Sequence, residues 1–185
     1  MTARIAPLTP PYSSDVQTSL EKWMPPGGAI EPLVLFRTMA RYPLLSDRMR
    51  GLGAVFLGRG LLPARVRELL ILRTCARCHS EYEWGVHVSA FAASVGLDDA
   101  AVAATLGPVA GDGLDALLAR FVDELHDTGT VSDPTWTALA SHFEENALLE
   151  MLALVGFYHA ISFITNAVRL PLEPWAERMS VRERT

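Results

Sequence analysis

The sequence is poor in the features that mark secreted, nucleic-acid-binding and membrane-surface proteins. It has only two cysteines in 185 residues, which excludes a fold held together by several disulfides. It carries 16 Lys and Arg against 21 Asp and Glu, a formal charge of -5, and such a chain is a poor partner for nucleic acid or an anionic membrane. Residues 1–14 contain no apolar run of the length that a signal peptide needs. We therefore expect a cytoplasmic protein.

A strand pattern is also missing. Apolar residues recur at helical spacing rather than in alternation, and proline and glycine mark the joints between segments. We predict an all-α, single-domain helical bundle over residues 1–185, with residues 1–30 as an N-terminal extension. Hydrophobic residues make up 50% of the chain and the mean hydropathy is +0.20, which indicates that part of the surface is covered by other copies of the chain. The expected assembly is a homo-oligomer.

The joints divide the chain into nine predicted helices. Pro25 to Gly28 forms a loop after the first, while Gly96 and Gly129 have the character of C-terminal caps. The last helix is apolar enough to pass a crude test for a membrane span, but its polar residues favour a core or interface helix. The predicted ranges are 14–23, 32–42, 46–57, 64–75, 81–95, 98–106, 114–128, 136–143 and 148–168.

The segment from Ser80 to His87 carries the clearest chemical signal. Ser80, Glu83 and His87 are spaced so that they share one face of a helix. A carboxylate and an imidazole one turn apart form a candidate pair for acid-base catalysis. Two structural interpretations remain open, since Ser80 and Glu83 also have the spacing of a capping box and His87 can be a hydrogen-bonded packing residue.

Cys75 and Cys78 have the spacing of a redox dithiol, and His79 extends it to the pattern of c-type haem attachment. Haem attachment of that type goes with exported proteins, so we exclude it. A zinc site is disfavoured because Cys75, Cys78, His79 and a distant histidine would have to converge without a second paired motif. We expect no metal and no cofactor. Two ordinary buried cysteines are the favoured interpretation, and a reactive dithiol stays open.

A set of motifs is spread over the middle of the chain: Arg67-Glu68-Leu69, Leu72-Arg73, Ser80, Tyr82-Glu83-Trp84, His87, Ala90 and Gly96-Leu97. This set resembles the core of the carboxymuconolactone decarboxylase family, which also contains alkylhydroperoxidase D, over about residues 43–97. A weaker similarity continues through Glu150, residues 156–158 and residues 171–173. The resemblance implies an alkylhydroperoxidase D-like bundle that assembles as a trimer or hexamer.

The resemblance also suggests which branch of the family applies. The peroxidase branch has a Glu, a Cys twelve residues on, a second Cys three further and a His four after that. Counted from Glu68, these positions hold Ser80, Glu83 and His87, and both cysteines of the chain are out of register. The resemblance thus implies the non-thiol branch, in which Glu68, Glu83 and His87 act by proton transfer on a small organic acid or lactone, without a cofactor.

Two other functions stay open. One is a thiol peroxidase that uses Cys75 and Cys78, and the other is a non-catalytic helical oligomer that binds a small ligand. Glu68 also has a structural interpretation, as a buried anchor for Arg65, Arg73 or another arginine. Further candidates for the pocket are Ser80, Tyr82, Trp84 and Tyr158, with His159 and Asn166 on the same helix as Tyr158, whereas Trp136 and Trp175 are assigned to packing.

Overall fold

The computed structural model describes residues 2–24 and 31–179. These residues contain nine α-helices and no strand. The all-α prediction is confirmed. The predicted loop from Pro25 to Gly28 lies outside the described residues. Helices α1 to α9 span Ser14–Glu21, Val34–Met39, Pro43–Ala54, Ala64–Arg77, Glu81–His87, Asp99–Ala104, Leu114–Thr128, Asp133–Ala140 and Glu145–Val168.

Helix α4 is the centre of the bundle. It packs against α5, α7 and α9, and its consecutive residues Leu70, Ile71 and Leu72 are all fully buried. A helix that is apolar on every side is one that has neighbours on every side. Phe121 of α7 and Met151 of α9 complete this core, so the polar side chains that α4 also carries must find their partners inside the protein.

Two predicted helices change their hydrogen bonding before they end. Helix α3 continues as a π-helical turn over Val55–Arg59, and α5 continues as a π-helical turn over Val88–Ala92 followed by a 3-10 turn. Gly96 then adopts a φ of 73°, as the predicted cap requires. A π turn therefore begins directly after His87, and such turns are frequent at functional sites.

Proline 43 begins a helix, whereas the sequence predicted that it ends one. It occupies the first turn of α3, where the missing N–H removes no intrahelical bond. Helices α8 and α9 each begin three residues before the predicted start, at Asp133 and Glu145. Gly129, with a φ of 73°, ends α7 at the predicted position.

Helix α9 is long and apolar enough to cross a membrane by length and composition alone. In the fold it lies against α4 and α5, with Met151, Leu154 and Tyr158 buried on that side. Leu149 and Phe163 stay exposed on the other side. These are the features of a core helix with one face left uncovered within the protomer.

The segment after α9 returns across α5 and holds it in place. The Tyr82 hydroxyl donates to the Glu173 carboxylate at 2.5 Å, and the same carboxylate accepts the Val34 N–H at 2.6 Å. Gly85 lies so close to the Glu177 carbonyl that a Cβ at this position would overlap it. The C-terminal segment thereby links α2 to α5 beside the helix face that carries Glu83 and His87.

Candidate active site

Glu68 and His87 form a buried pair between α4 and α5. The His87 Nδ1 lies 2.7 Å from the Glu68 Oε2, and both side chains are at least 95% buried. An ionised carboxylate can only accept hydrogen bonds, so Nδ1 carries the hydrogen and donates it. In the neutral imidazole this leaves the lone pair on Nε2, the atom on the side away from Glu68.

The surroundings of Glu68 keep it ionised. Burial raises the pKa of this carboxyl, but the hydrogen bonds and charges of His87 and Arg67 outweigh burial and hold it below its ordinary value. The Arg67 Nε donates to the other carboxylate oxygen at 3.0 Å. Of the arginines expected as partners of Glu68, the structure shows another arginine, Arg67, whereas Arg65 pairs with Asp115 and Arg73 with Asp123.

Glu83 has the opposite electrostatic environment. It is buried one helical turn before His87, and its Oε2 has no hydrogen-bond partner. Burial raises the pKa of Glu83, the charge of Glu173 adds to the effect, and His87 only partly opposes it. Glu83 therefore holds a proton under conditions in which Glu68 is charged, and the two carboxyl groups are prepared for different roles.

Tyr158 of α9 completes the site. Its hydroxyl lies 3.1 Å from the His87 Nε2, and the two rings meet edge to face at 5.1 Å. Since Nε2 is the acceptor in the neutral imidazole, the tyrosine hydroxyl donates. Burial raises the pKa of Tyr158 well above its ordinary value, so the phenol stays neutral. Tyr158 thus donates a hydrogen bond to His87, and His87 donates one to Glu68.

A cavity of about 390 Å³ borders this arrangement. Glu83, His87 and Tyr158 line it, and apolar and aromatic side chains form most of its remaining wall. Lys22 and Arg50 are the cationic residues of the lining. A largely apolar cavity with a few convergent polar groups is the usual form of a small-molecule site.

Three of the predicted pocket residues do not line this cavity. Ser80 has no capping hydrogen bond to its own helix, so the capping box does not form; its hydroxyl lies 2.9 Å from the Thr165 hydroxyl. Tyr82 is held by Glu173, and the Trp84 indole donates to the Thr105 hydroxyl at 3.0 Å. All three are buried anchors, and Tyr82 and Trp84 turn away from the cavity because residues next to Glu83 on a helix point to other faces.

The two cysteines are also outside the cavity lining. Both are free thiols. Cys75 is fully buried, and its pKa lies well above the ordinary value because of burial and the nearby Glu83 charge. Cys78 is partly exposed and burial raises its pKa. A reactive thiol needs an accessible site that stabilises the thiolate, and neither cysteine has both properties.

Several residues of the cavity were not predicted from the sequence. Lys22 and Trp23 follow α1, Arg50 lies on α3 and Trp175 lies in the C-terminal segment. The assignment of Trp175 to packing is thus incomplete, since this side chain lines the cavity and is 45% exposed, while Trp136 is an exposed surface residue. No spacing within one helix could have found residues that three separate parts of the chain contribute.

Comparison with known proteins finds a family model that matches part of the chain. The model of the carboxymuconolactone decarboxylase family matches residues 43–123, a region that contains Glu68, Glu83 and His87. The resemblance seen in the sequence is therefore confirmed, and the match extends beyond the predicted core to residue 123.

Solved structures show the same fold at low sequence identity. An uncharacterized peroxidase-related protein from Silicibacter sp. TM1040 has a TM-score of 0.76 at 14% identity, with 94% of each chain covered. An alkylhydroperoxidase AhpD core protein from Ralstonia eutropha JMP134 gives 0.74 at 14% identity over 92% of this chain and 93% of its own. A debrominase Bmp8 variant in complex with 2,3,4-tribromopyrrole gives 0.71 at 15% identity, with 94% of each chain covered. No curated protein matches the sequence significantly.

Proposed function

We propose that the protein is a cofactor-independent enzyme that moves protons on a small organic acid or lactone. The observation that supports this function is the cavity wall formed by Glu83, His87 and Tyr158. Along one wall it presents the Glu83 carboxyl group, whose raised pKa favours the protonated form, and the His87 imidazole, whose Nε2 accepts the hydrogen bond of Tyr158. General acid-base catalysis requires this combination of a proton donor and a proton acceptor.

Each side chain has a definite task in this proposal. The Tyr158 hydroxyl gives its proton to the His87 Nε2 as it takes a proton from the carbon next to a carbonyl, and the electron pair of that C–H bond passes into the carbonyl to form an enolate. When the enolate is conjugated with a C=C bond, Glu83 donates its proton to the far end of the resulting dienolate. The extra proton on His87 then returns to Glu83 through water, which completes an isomerisation and restores both groups. The Glu68 carboxylate does not touch the substrate and stabilises the imidazolium that forms on His87.

Decarboxylation uses the same groups. The enolate then forms when a C–C bond breaks and carbon dioxide leaves, and its electron pair moves into the neighbouring carbonyl. Glu83 protonates the carbon and regains a proton from water, so the net reaction consumes one proton and releases one carbon dioxide. Because Glu83 is protonated only as long as burial disfavours its charge, a substrate that displaces water from the cavity supports the reaction.

The charge of the lining favours an acidic substrate. Lys22 and Arg50 border a cavity whose remaining lining is mostly apolar, and Asp47 pairs with Arg50 at 2.8 Å. Both cationic side chains lie near Asp47, and they can bind the carboxylate of a molecule in the cavity. The debrominase neighbour was solved with a small ring compound, which at its low identity supports the fold comparison alone.

The thiol peroxidase alternative receives no support from the geometry. Cys75 is inaccessible, and the family's cysteine positions hold Ser80 and Glu83. The ligand-binding alternative uses the same cavity as the enzyme, and it differs only in that the bound molecule is not converted. An activity assay with matched variants therefore distinguishes them.

The test is turnover of a panel of lactones and β-keto acids by the wild-type protein, Glu83→Gln and His87→Ala. We expect each variant to lose at least about a hundredfold in kcat/KM, the usual contribution of a general acid or base. Glu81→Gln is the matched control, because it removes a carboxylate of the same helix that does not line the cavity. Turnover that persists in both site variants would show that the assignment is wrong.

A parallel assay measures hydroperoxide consumption with a thiol donor. The proposal requires that the wild-type protein and the Cys75→Ser/Cys78→Ser double variant behave alike. Consumption that disappears only in the double variant identifies the peroxidase, and binding of the panel without any turnover identifies the ligand-binding protein.

The same proposal includes a cytoplasmic homo-oligomer, either a trimer or a hexamer. Two free cysteines suit a reducing compartment. Large apolar side chains are exposed on α3 and the π turn after it, and on α9: Leu44, Leu45, Leu52, Val55, Leu57, Leu149 and Phe163. Light scattering on the purified protein tests this part, and a monomer would contradict it.

A further inference from the structure

Cys78, His126 and His159 converge at a place that the proposed chemistry does not use. Cys78 caps the end of α4, His126 lies in the last turn of α7, and His159 lies in the middle of α9. The Cys78 Sγ is 4.0 Å from the His126 Nδ1, which is 3.0 Å from the His159 Nε2. One ligand atom from each residue lies within 4.8 Å of the other two.

The cluster is separate from the cavity. None of its three residues belongs to the cavity lining. All three side chains are partly exposed. An ion from solvent can therefore reach the cluster without passing through the candidate active site.

The neighbouring hydrogen bonds orient the donor atoms toward one another. The His159 Nδ1 lies 2.9 Å from the Val155 carbonyl oxygen, and since a carbonyl only accepts, Nδ1 carries the hydrogen and the Nε2 lone pair faces the cluster. Metal-bound histidines commonly have a partner of this kind on the second nitrogen. Asn166 donates to the Cys78 carbonyl at 2.7 Å, which fixes the end of α4 against α9.

The spacing suits a tetrahedral ion after small side-chain adjustments. Zn–N bonds of about 2.05 Å and a Zn–S bond of about 2.3 Å put two nitrogens about 3.3 Å apart and a sulfur and a nitrogen about 3.5 Å apart. Two of the observed separations, 3.0 Å and 4.0 Å, differ from these by about half an ångström or less, and the third, between Cys78 and His159, is within 4.8 Å and has to shorten on binding. His126 has only to move its hydrogen to Nε2 so that its Nδ1 becomes a ligand.

We propose that Cys78, His126 and His159 bind one divalent ion of the zinc type, with water as the fourth ligand. One thiolate and two imidazoles form a donor set that Zn²⁺ and Co²⁺ accept readily. The ion releases the thiol proton on binding and connects α4, α7 and α9. The expectation of no metal considered Cys75, His79 and one distant histidine as partners of Cys78, whereas the fold brings two distant histidines to Cys78.

Cobalt titration of the reduced, tag-free protein tests the proposal, because Co²⁺ replaces Zn²⁺ and reports its ligands optically. We expect one equivalent to bind, with a near-ultraviolet thiolate-to-cobalt charge-transfer band that Zn²⁺ abolishes by displacement. Cys78→Ser should lose the band, and His126→Ala or His159→Ala should weaken binding by at least about a hundredfold, as loss of even a supporting residue can cost that much.

His142→Ala is the matched control, since it removes an exposed histidine outside the cluster, and it should bind cobalt like the wild type. Circular dichroism of each metal-free variant shows whether it folds, and if His126→Ala does not, His159→Gln carries the test. The proposal fails if no equivalent binds, or if binding survives in Cys78→Ser and in the histidine variants. Activity on the substrate panel is not needed for either outcome.

Discussion

Glu83 and His87 lie one helical turn apart and line the same cavity, yet only His87 is held by a buried carboxylate. The Oε2 of Glu83 has no partner. An unpaired buried carboxyl group keeps its proton, whereas an imidazole with a carboxylate behind it can accept one. Their surroundings thus favour proton donation by Glu83 and proton acceptance by His87. The partners of both groups predict measurable effects of pH and of mutation.

The first prediction concerns the stability of Glu83→Gln as a function of pH. Because the folded protein raises the pKa of Glu83, the folded state retains a proton that the unfolded chain loses, and wild-type stability falls as the pH rises above the ordinary glutamate value. A glutamine does not ionise, so Glu83→Gln does not lose stability in this way as the pH rises. We expect Glu83→Gln to gain about 1.4 kcal/mol of unfolding free energy at neutral pH for each unit of the raised pKa.

Urea unfolding at several pH values measures this gain, and the difference between variant and wild type should shrink toward about pH 4, where both states of the wild type are protonated. Glu81→Gln should show no such trend, since Glu81 is not buried. A variant that is less stable than the wild type at neutral pH would show that Glu83 is charged in the folded protein.

The second prediction concerns Glu68, for which the sign is reversed. Its folded pKa is lowered, so its contribution is present above the unfolded pKa and is lost as the pH falls through the folded value. We expect Glu68→Ala to cost about 3–5 kcal/mol at neutral pH, because Arg67 and His87 lose a buried partner. Glu68→Gln should cost less, and its stability should fall less than that of the wild type between about pH 6 and about pH 3. Equal acid sensitivity of the two proteins would contradict the ion pair.

Much of the site could be predicted because it lies on two consecutive helices. Glu68 and His87 follow from the family spacing, and helical periodicity places Glu83 on the face of His87. Trp84 and Tyr82 were assigned to the pocket because they adjoin Glu83 in sequence. A helix turns each successive residue by about 100°, so adjacency in sequence does not imply a shared face, and both side chains contact other parts of the fold.

The remainder depends on contacts between distant segments. Lys22, Arg50 and Trp175 reach the cavity from three separate parts of the chain, and no local pattern distinguishes them from surface residues. The same limit applies to Cys78, whose histidine neighbours lie 48 and 81 positions further along the sequence. The spacing of nearby residues predicts which side chains share a face of one helix. It does not predict these groups, because their members come together only when the helices pack.

The third prediction concerns the C-terminal segment. A Cβ at Gly85 would overlap the Glu177 carbonyl oxygen and approach the Ala176 side chain, so Gly85→Ala must displace this segment. We expect a loss of about 1–3 kcal/mol in unfolding free energy, the usual cost of overpacking, and faster proteolysis after α9. Gly156→Ala is the matched control, since no atom lies near its added Cβ, and it should be neutral or gain up to about 1 kcal/mol. Equal stability of the two variants would mean that the segment does not pack against α5.

The last prediction concerns Tyr158→Phe, which removes one hydroxyl from the cavity wall. The ring remains packed against His87, so the fold should stay intact, but the hydrogen bond to Nε2 disappears. We expect kcat to fall about tenfold to a hundredfold with little change in KM, the pattern of a group that acts in the transition state rather than in binding. The basic limb of the pH profile should keep its shape, because the phenol of the wild type does not ionise in the working range. A rise in KM at constant kcat would instead make Tyr158 a substrate-binding residue and leave proton transfer to His87 alone.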